Sequence, residues 1–110
     1  IEYYACDITS NEAVNELFEF AEKKFGIIHS LFNHAASKSS NLSAFLDGFE
    51  NYKIETWREV SSVNIDAMFL MAQKVGKHFI KHGISGSIIQ TASIYGVVAP
   101  DQRIYEGSFY

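Results

Sequence analysis

The residues at positions 31–37 read LFNHAAS, in which two apolar residues are followed by Asn33, His34 and three small residues. The apolar run at 27–32 predicts a buried strand. Small side chains directly after a strand leave room for another group at the strand's end. We therefore expect residues 33–37 to border a binding site, and the rest of the chain indicates what kind of site it is.

Strands and helices are expected to alternate on both sides of this stretch. β-forming residues at 1–6 and 87–91 predict two further strands. Apolar residues at helical spacing predict a helix over 9–26 and a long helix over 56–83. This βαβαβ order predicts an α/β fold, a doubly wound parallel sheet of three strands with two main helices.

The ends of both helices carry sequence signals. Thr9 is followed three residues later by Glu12, and Thr56 by Glu59, and each pair is a capping box that predicts a helix start. Glycines at 26 and 83 predict the helix ends. The segment between the second strand and the long helix is polar and irregular, and it is longer than a simple connection requires.

Ligands of parallel sheets bind at the carboxyl ends of the strands. In this chain those ends are the stretches at 7–9, 33–37 and 92–96. We expect them to lie on one rim of the sheet, with a ligand across it. The small residues at 35–37 are then explained by the space that this ligand occupies.

Composition excludes several classes of protein. The 110 residues carry a formal charge of −4, so no basic surface for nucleic acid is expected. No apolar run reaches the roughly 18 residues of a membrane span. The single Cys6 cannot form an internal disulfide, which suits the cytoplasm. We expect no metal site, and we interpret His78 and His82, four residues apart, as a solvated helix end.

Three polar residues are candidates for chemistry, and each also has a structural interpretation. Asn33 could use its amide to tie neighbouring strands together. Asn64 falls on the apolar stripe of the long helix, where it is either bonded to a backbone carbonyl or placed at a helix kink with a water on a proton path. Ser93 follows the last strand, where serine usually caps a turn.

The order and spacing of four motifs resemble the short-chain dehydrogenase/reductase family. The motifs are CDIT at 6–9, NHAA at 33–36, VNI at 63–65 and GSIIQTAS at 86–93. The resemblance runs over nearly the whole chain. It implies a partial Rossmann-type domain in which residues 1–110 supply the family's strands 3 to 5.

The resemblance also implies roles for individual residues. Asp7 would hydrogen-bond the adenine of NAD or NADP, and Asn33, His34, Ala35 and Ala36 would form the turn beside that cofactor. The activity implied is hydride transfer between the cofactor and a small-molecule carbonyl or alcohol.

Two residues would act on the substrate by the same resemblance. Ser93 would hold the substrate oxygen, and Asn64 would hold a water of the proton relay. The resemblance implies either NAD or NADP, and a sugar-derived molecule is one candidate substrate.

The chain departs from the family pattern in several places. Ala36 stands where glycine is usual, which requires a negative φ there, and His34 replaces a second asparagine. Neither a glycine-rich phosphate turn nor Tyr-x-x-x-Lys is present. We therefore expect a central segment of a longer enzyme, inactive by itself and associating through the long helix. The alternative is a non-catalytic α/β interaction module that docks through that helix, whereas a hydrolase using Ser93 lacks a recognisable triad.

Overall fold

The computed structural model describes residues 1–99 and 101–105 and contains a parallel two-stranded sheet with helices. In chain order the main elements are α1 (Asn11–Phe25), β1 (Ser30–Asn33), α2 (Leu42–Phe45), α3 (Ile54–Ser61), a π turn (Ser62–Asp66), α4 (Ala67–His82) and β2 (Ser87–Gln90). Short 3₁₀ turns occupy Phe49–Asn51, Ile94–Gly96 and Gln102–Tyr105. None of the helices in these described residues is long and apolar enough to cross a membrane.

The two strands pair in the order and direction that the sequence predicts. β1 and β2 are parallel neighbours, and their register runs from Ser30 opposite Ser87 to Asn33 opposite Gln90. The chain between them passes through the long helix, as a crossover between parallel strands requires. The predicted α/β class and the parallel pairing are therefore confirmed.

The predicted third strand at 1–6 is wrong for this structure, whose described residues form two strands only. The segment lies against α1 instead: the rings of Tyr4 and Phe20 are 4.8 Å apart, and Glu2 forms an ion pair with Lys24 at 2.9 Å. A β-forming sequence becomes a strand only where a neighbouring backbone supplies its hydrogen bonds. In the described part of the chain no strand lies next to this segment.

The core lies between α1 and α4. Val14 and Phe18 of α1 pack with Met71 and Val75 of α4, and all four side chains are buried. Partly buried apolar residues surround them, namely Cys6, Ile8, Leu17, Ile28, Leu31 and Phe79. Leu31 of β1 packs against this core, so the two helices cover the face of the sheet on which Leu31 lies.

Helix α1 begins one residue later than its capping box predicts. Ser10 is the N-cap, and its hydroxyl accepts a hydrogen bond from the amide of Ala13 at 3.2 Å. Thr9 belongs to the turn before the helix, where its amide and hydroxyl both donate to the carboxylate of Asp7. The predicted end is confirmed, since Gly26 adopts φ 75°, a conformation that favours glycine.

The long helix also differs from the prediction at its start. It begins at Ile54, and the preceding Lys53 makes no side-chain cap. Thr56 is buried inside the first turns, and Glu59 bonds a distant loop instead of closing a capping box. Gly83 ends the helix in the left-handed conformation, as predicted.

Gly86 lies where the turn before β2 crosses Phe79. A Cβ at Gly86 would stand 2.2 Å from Cζ of the Phe79 ring, so the ring must move to admit it. We expect Gly86→Ala to lower the free energy of unfolding by about 1–3 kcal/mol in urea titrations. Gly76→Ala is the matched control. Its Cβ meets nothing within 4 Å, so alanine there is expected to stabilise the helix. Equal effects of the two substitutions would contradict this explanation.

Candidate functional site at the strand ends

The carboxyl end of β1 is anchored to the long helix through Asn33. Its side chain is only 4% exposed, and Nδ2 donates to the carbonyl of Met68 at 3.2 Å. The amide was expected to tie neighbouring strands, but its bond runs to the helix. The strand ends are joined by backbone instead, since the carbonyl of Asn33 accepts from the amide of Thr91 at 3.1 Å. Asn33 therefore holds the strand end against the helix.

The loops that follow β1 and β2 meet directly. Nδ1 of His34 lies 2.7 Å from the hydroxyl of Thr91. Ala35 and Ala36 are exposed and offer no side chain beyond a methyl group. Ala36 has the negative φ that an alanine at this position requires. Among the described residues other than glycine, only Ser39 has a positive φ. The loop can thus pass close to a bound molecule without backbone strain at Ala36.

Asn64 joins this loop to the long helix. Its Oδ1 accepts from the amide of Ser37 at 2.7 Å, and its Nδ2 donates to the carbonyl of Ser37 at 2.9 Å. Asn64 lies within the π turn Ser62–Asp66, where the helix is locally distorted. The side chain is bonded to a backbone carbonyl, which was the first of the two interpretations of Asn64. The helix is also irregular at this residue, which was part of the second. After pairing, the amide keeps one N–H and one oxygen lone pair for a further partner.

Ser93 is exposed at the end of the segment that follows β2. Its Oγ accepts from the amide of Tyr95 at 3.2 Å and thereby caps the short turn Ile94–Gly96. A hydroxyl that accepts one bond still has a proton to donate. Ser93 can therefore present a donor at the rim of the sheet while its position is fixed by the cap.

Asp7 stands apart from the other candidates in its contacts. Its carboxylate accepts from the amide and the hydroxyl of Thr9, at 2.9 and 2.8 Å. These hydrogen bonds lower the pKa of Asp7 below the ordinary aspartate value, so the exposed carboxylate is ionised at neutral pH. Both of these hydrogen bonds come from Thr9, so they tie Asp7 to its own turn and not to the loops after β1 and β2. It is an available acceptor for a ligand at the amino-terminal side of α1.

His78 overturns the expectation of a solvated helix end. Its side chain is buried, with Nε2 accepting from the amide of Ile28 at 2.9 Å and Nδ1 lying 2.6 Å from Glu22. His82 is exposed and its Nε2 lies 3.7 Å from the same carboxylate. The hydrophobic periodicity of α4 could have shown that position 78 faces inward, seven residues after Met71.

The side chains of Glu22, His78 and His82 are close enough to share a metal ion, since their ligand atoms lie within 4.8 Å of one another. The hydrogen bonds of His78 oppose this. Its one lone pair is directed at Ile28, so Nδ1 carries the proton that Glu22 accepts. A metal at Nδ1 would force Nε2 to carry a proton facing the amide of Ile28. The cluster is better suited to joining α1, α4 and the entry to β1.

The hydrogen-bonded carboxylate of Glu22 gives the fold a predicted pH dependence. The hydrogen bond from His78 lowers the pKa of Glu22, and the nearby Lys81 lowers it further. A carboxyl whose pKa falls on folding stabilises the protein above its unfolded value of about 4.3, and this contribution is lost as pH falls through the lower folded value. We expect acidification from about pH 5 to about pH 3 to destabilise Glu22→Gln less than the wild type in urea titrations. Glu19→Gln, on the same helix, should behave as the wild type. Equal acid losses in the wild type and Glu22→Gln would contradict the role of the pair.

Comparison with known proteins gives consistent results. A sequence profile of the family described as short chain dehydrogenase matches residues 1–108. D-threitol dehydrogenase of Mycolicibacterium smegmatis is 31% identical over 101 residues, which is 92% of this chain and 36% of that protein.

Two solved structures share the fold. A short chain dehydrogenase from Leptospira borgpetersenii serovar Hardjo-bovis with bound NAD+ superposes with a TM-score of 0.83 at 32% identity, over 94% of this chain and 39% of that one. ElxO with NADP bound superposes with a TM-score of 0.79 at 28% identity, over 94% and 40%. The chain thus spans roughly two fifths of these relatives' length or a little less.

Proposed function

Because this chain belongs to the short-chain dehydrogenase family, we propose that it forms the central part of an oxidoreductase that transfers hydride between a nicotinamide cofactor and a carbonyl or alcohol. The observation that carries the proposal is the paired contact of Asn64 with Ser37. It fixes the loop after β1 at the rim where parallel sheets bind ligands.

The residues at this rim, together with Asp7 at the amino-terminal side of α1, suit NAD or NADP. Asp7 offers an ionised, exposed carboxylate that can accept from the amino group of an adenine. Asn33 and His34 are held by hydrogen bonds, and Ala35 and Ala36 leave the space beside them open. The relatives solved with NAD+ and with NADP support either cofactor for this chain.

The chemistry assigned to this chain's side chains concerns the substrate oxygen. A bound nicotinamide supplies or accepts the hydride. The hydroxyl of Ser93 donates to the substrate oxygen, which orients the reacting carbon and stabilises the charge that develops on the oxygen. Asn64 retains a donor and an acceptor after binding Ser37, and we assign them to a water through which a proton leaves or arrives.

The long helix is proposed as a subunit contact. Ile65 and Phe69 lie one turn apart, Ile80 follows three turns later, and all three are more than half exposed. An exposed apolar stripe on a helix favours association. We expect Phe69→Glu to reduce the molar mass measured by light scattering. Asn11→Glu adds the same charge at an exposed position of α1, away from this stripe, and should leave the molar mass unchanged. A wild-type protein that is monomeric would contradict the proposed contact. We also place the protein in the cytoplasm, which suits the single Cys6.

The test measures cofactor binding to the natural protein, which is the form in which the cell makes this chain. NADH and NADPH are titrated separately in a calorimeter, and oxidation of D-threitol, xylitol and cyclohexanol is followed by nicotinamide absorbance. We expect one of the two cofactors to bind and at least one alcohol to be oxidised. Residues 1–110 alone should show no turnover, because they contain neither a glycine-rich phosphate turn nor Tyr-x-x-x-Lys. If the natural protein binds neither cofactor, the proposal fails and the interaction module becomes the better explanation.

A further inference from the structure

We propose that Glu59 is a positioning residue that holds the loop 37–40 in the conformation in which Asn64 binds it. The family assignment gives Glu59 no role, and the inference rests on the proposed function only for its effect on turnover. Its structural part stands on contacts of residues in α3, the π turn and the loop.

Both oxygens of the Glu59 carboxylate accept hydrogen bonds from the loop. Oε2 accepts from the hydroxyl of Ser39 at 2.6 Å, and Oε1 accepts from the amide of Ser40 at 2.7 Å. Hydrogen bonds to an ionised acceptor are shorter and stronger than those between neutral groups. The same bonds lower the pKa of Glu59, so the acceptor stays ionised at neutral pH.

Ser39 requires such support because of its backbone. Its φ of 79° lies in the left-handed region, which is unfavourable for a residue with a side chain. Two bonds to Glu59, one from this residue and one from the next, offset that cost. The loop conformation therefore depends on the helix as well as on its own sequence.

The π turn explains how one helix reaches the loop twice. Glu59 and Asn64 are five residues apart, which on a regular α-helix places them roughly 140° apart around the axis. The π turn contains bonds from residue i to residue i+5, and one runs from the amide of Ala67 to the carbonyl of Ser62. The slower winding brings Glu59 and Asn64 toward the same side, where both contact the same loop.

The two contacts are connected through the loop itself. The amide of Ser39 donates to the hydroxyl of Ser37 at 3.1 Å. Asn64 binds Ser37 through both its backbone amide and its backbone carbonyl. Releasing Ser39 from Glu59 removes the contact by which the helix holds that left-handed turn. Ser37 is then free to move away from Asn64, although Glu59 never touches Ser37 directly.

The backbone amide of Ser37 is therefore the reporter, because its partner is Asn64 and not Glu59. In the natural protein, hydrogen exchange measured by NMR should show this amide exchanging about tenfold faster in Glu59→Ala than in the wild type. Glu59→Gln keeps one acceptor oxygen and should restore part of the protection. Glu55→Ala removes the same charge one turn earlier on α3 and should change nothing at Ser37. Unchanged exchange of Ser37 in Glu59→Ala would overturn the proposal without reference to activity.

Kinetics of the same variants add the catalytic part, using the alcohol that the natural protein oxidises fastest. We expect Glu59→Ala to lower kcat on the order of tenfold with little change in the KM for cofactor, and Glu59→Gln to recover part of it. Asn64→Ala distinguishes a failure of the positioning role of Glu59 from a failure of the proposed function. If Asn64→Ala loses turnover while Glu59→Ala keeps it, only the positioning role fails. If Asn64→Ala keeps full turnover, the role assigned to Asn64 in the proposed function fails, whatever the exchange of Ser37 shows.

Discussion

We expect the Ser93→Ala variant of the natural protein to lose between about 100-fold and about 1,000-fold in kcat while its affinity for cofactor stays near that of the wild type. The hydroxyl of Ser93 is the donor that we assign to the substrate oxygen, and charge on that oxygen changes only as hydride is transferred. Removing the donor therefore affects the transition state more than the bound cofactor. The measurement is steady-state oxidation of the best alcohol, together with calorimetric titration of the cofactor.

A second role of Ser93 has to be separated from the first. Its Oγ also caps the turn Ile94–Gly96, and loss of a cap costs about 1 kcal/mol of stability. Ser93→Thr keeps a hydroxyl and the cap, so it should retain more activity than Ser93→Ala. Ser85→Ala, an exposed serine before β2, controls for removal of a surface hydroxyl and should be fully active. Wild-type kcat in Ser93→Ala would remove Ser93 from the mechanism.

We expect His78→Ala to reduce the free energy of unfolding by about 2–4 kcal/mol, the largest stability effect among our predictions. The substitution leaves the amide of Ile28 without its acceptor, removes the partner of Glu22 and opens a cavity between α1 and α4. Urea unfolding at neutral pH measures the loss. It should appear as a lower midpoint at similar slope.

His82→Ala is the matched control for this prediction. His82 lies one turn further along α4, is exposed, and lies 3.7 Å from Glu22. We expect its replacement to cost less than about 1 kcal/mol, as for most exposed ion pairs. Similar losses for the two histidines would show that burial and the bond to Ile28 do not set the energy.

Local sequence signals predicted the elements that depend on one segment alone. Apolar residues at helical spacing located both main helices, and Gly26 and Gly83 end them as expected. The strand at 87–91 pairs in parallel with the one ending at Asn33. The segment at 1–6 failed because a strand requires a neighbour, which residue preferences cannot supply.

The sequence motifs proposed which residues form the candidate site, but they did not predict the contacts of those residues. The four motifs identified Asn33, Asn64 and Ser93, yet the partners of Asn33 and Asn64 come from elements 27 to 35 residues away in the chain. The role of Glu59 was hidden because Thr56 and Glu59 match a capping box in sequence. The structure shows that the helix begins at Ile54, so this pair lies too far inside the helix to cap it.

The most direct test of the central claim is a crystal structure of the natural protein with its bound nicotinamide cofactor. We predict that the cofactor lies across the carboxyl ends of β1 and β2, with its adenine at Asp7 and its nicotinamide near Ser93. Density for the cofactor on another face of the sheet, or with Asp7 and Ser93 both out of contact, would contradict it.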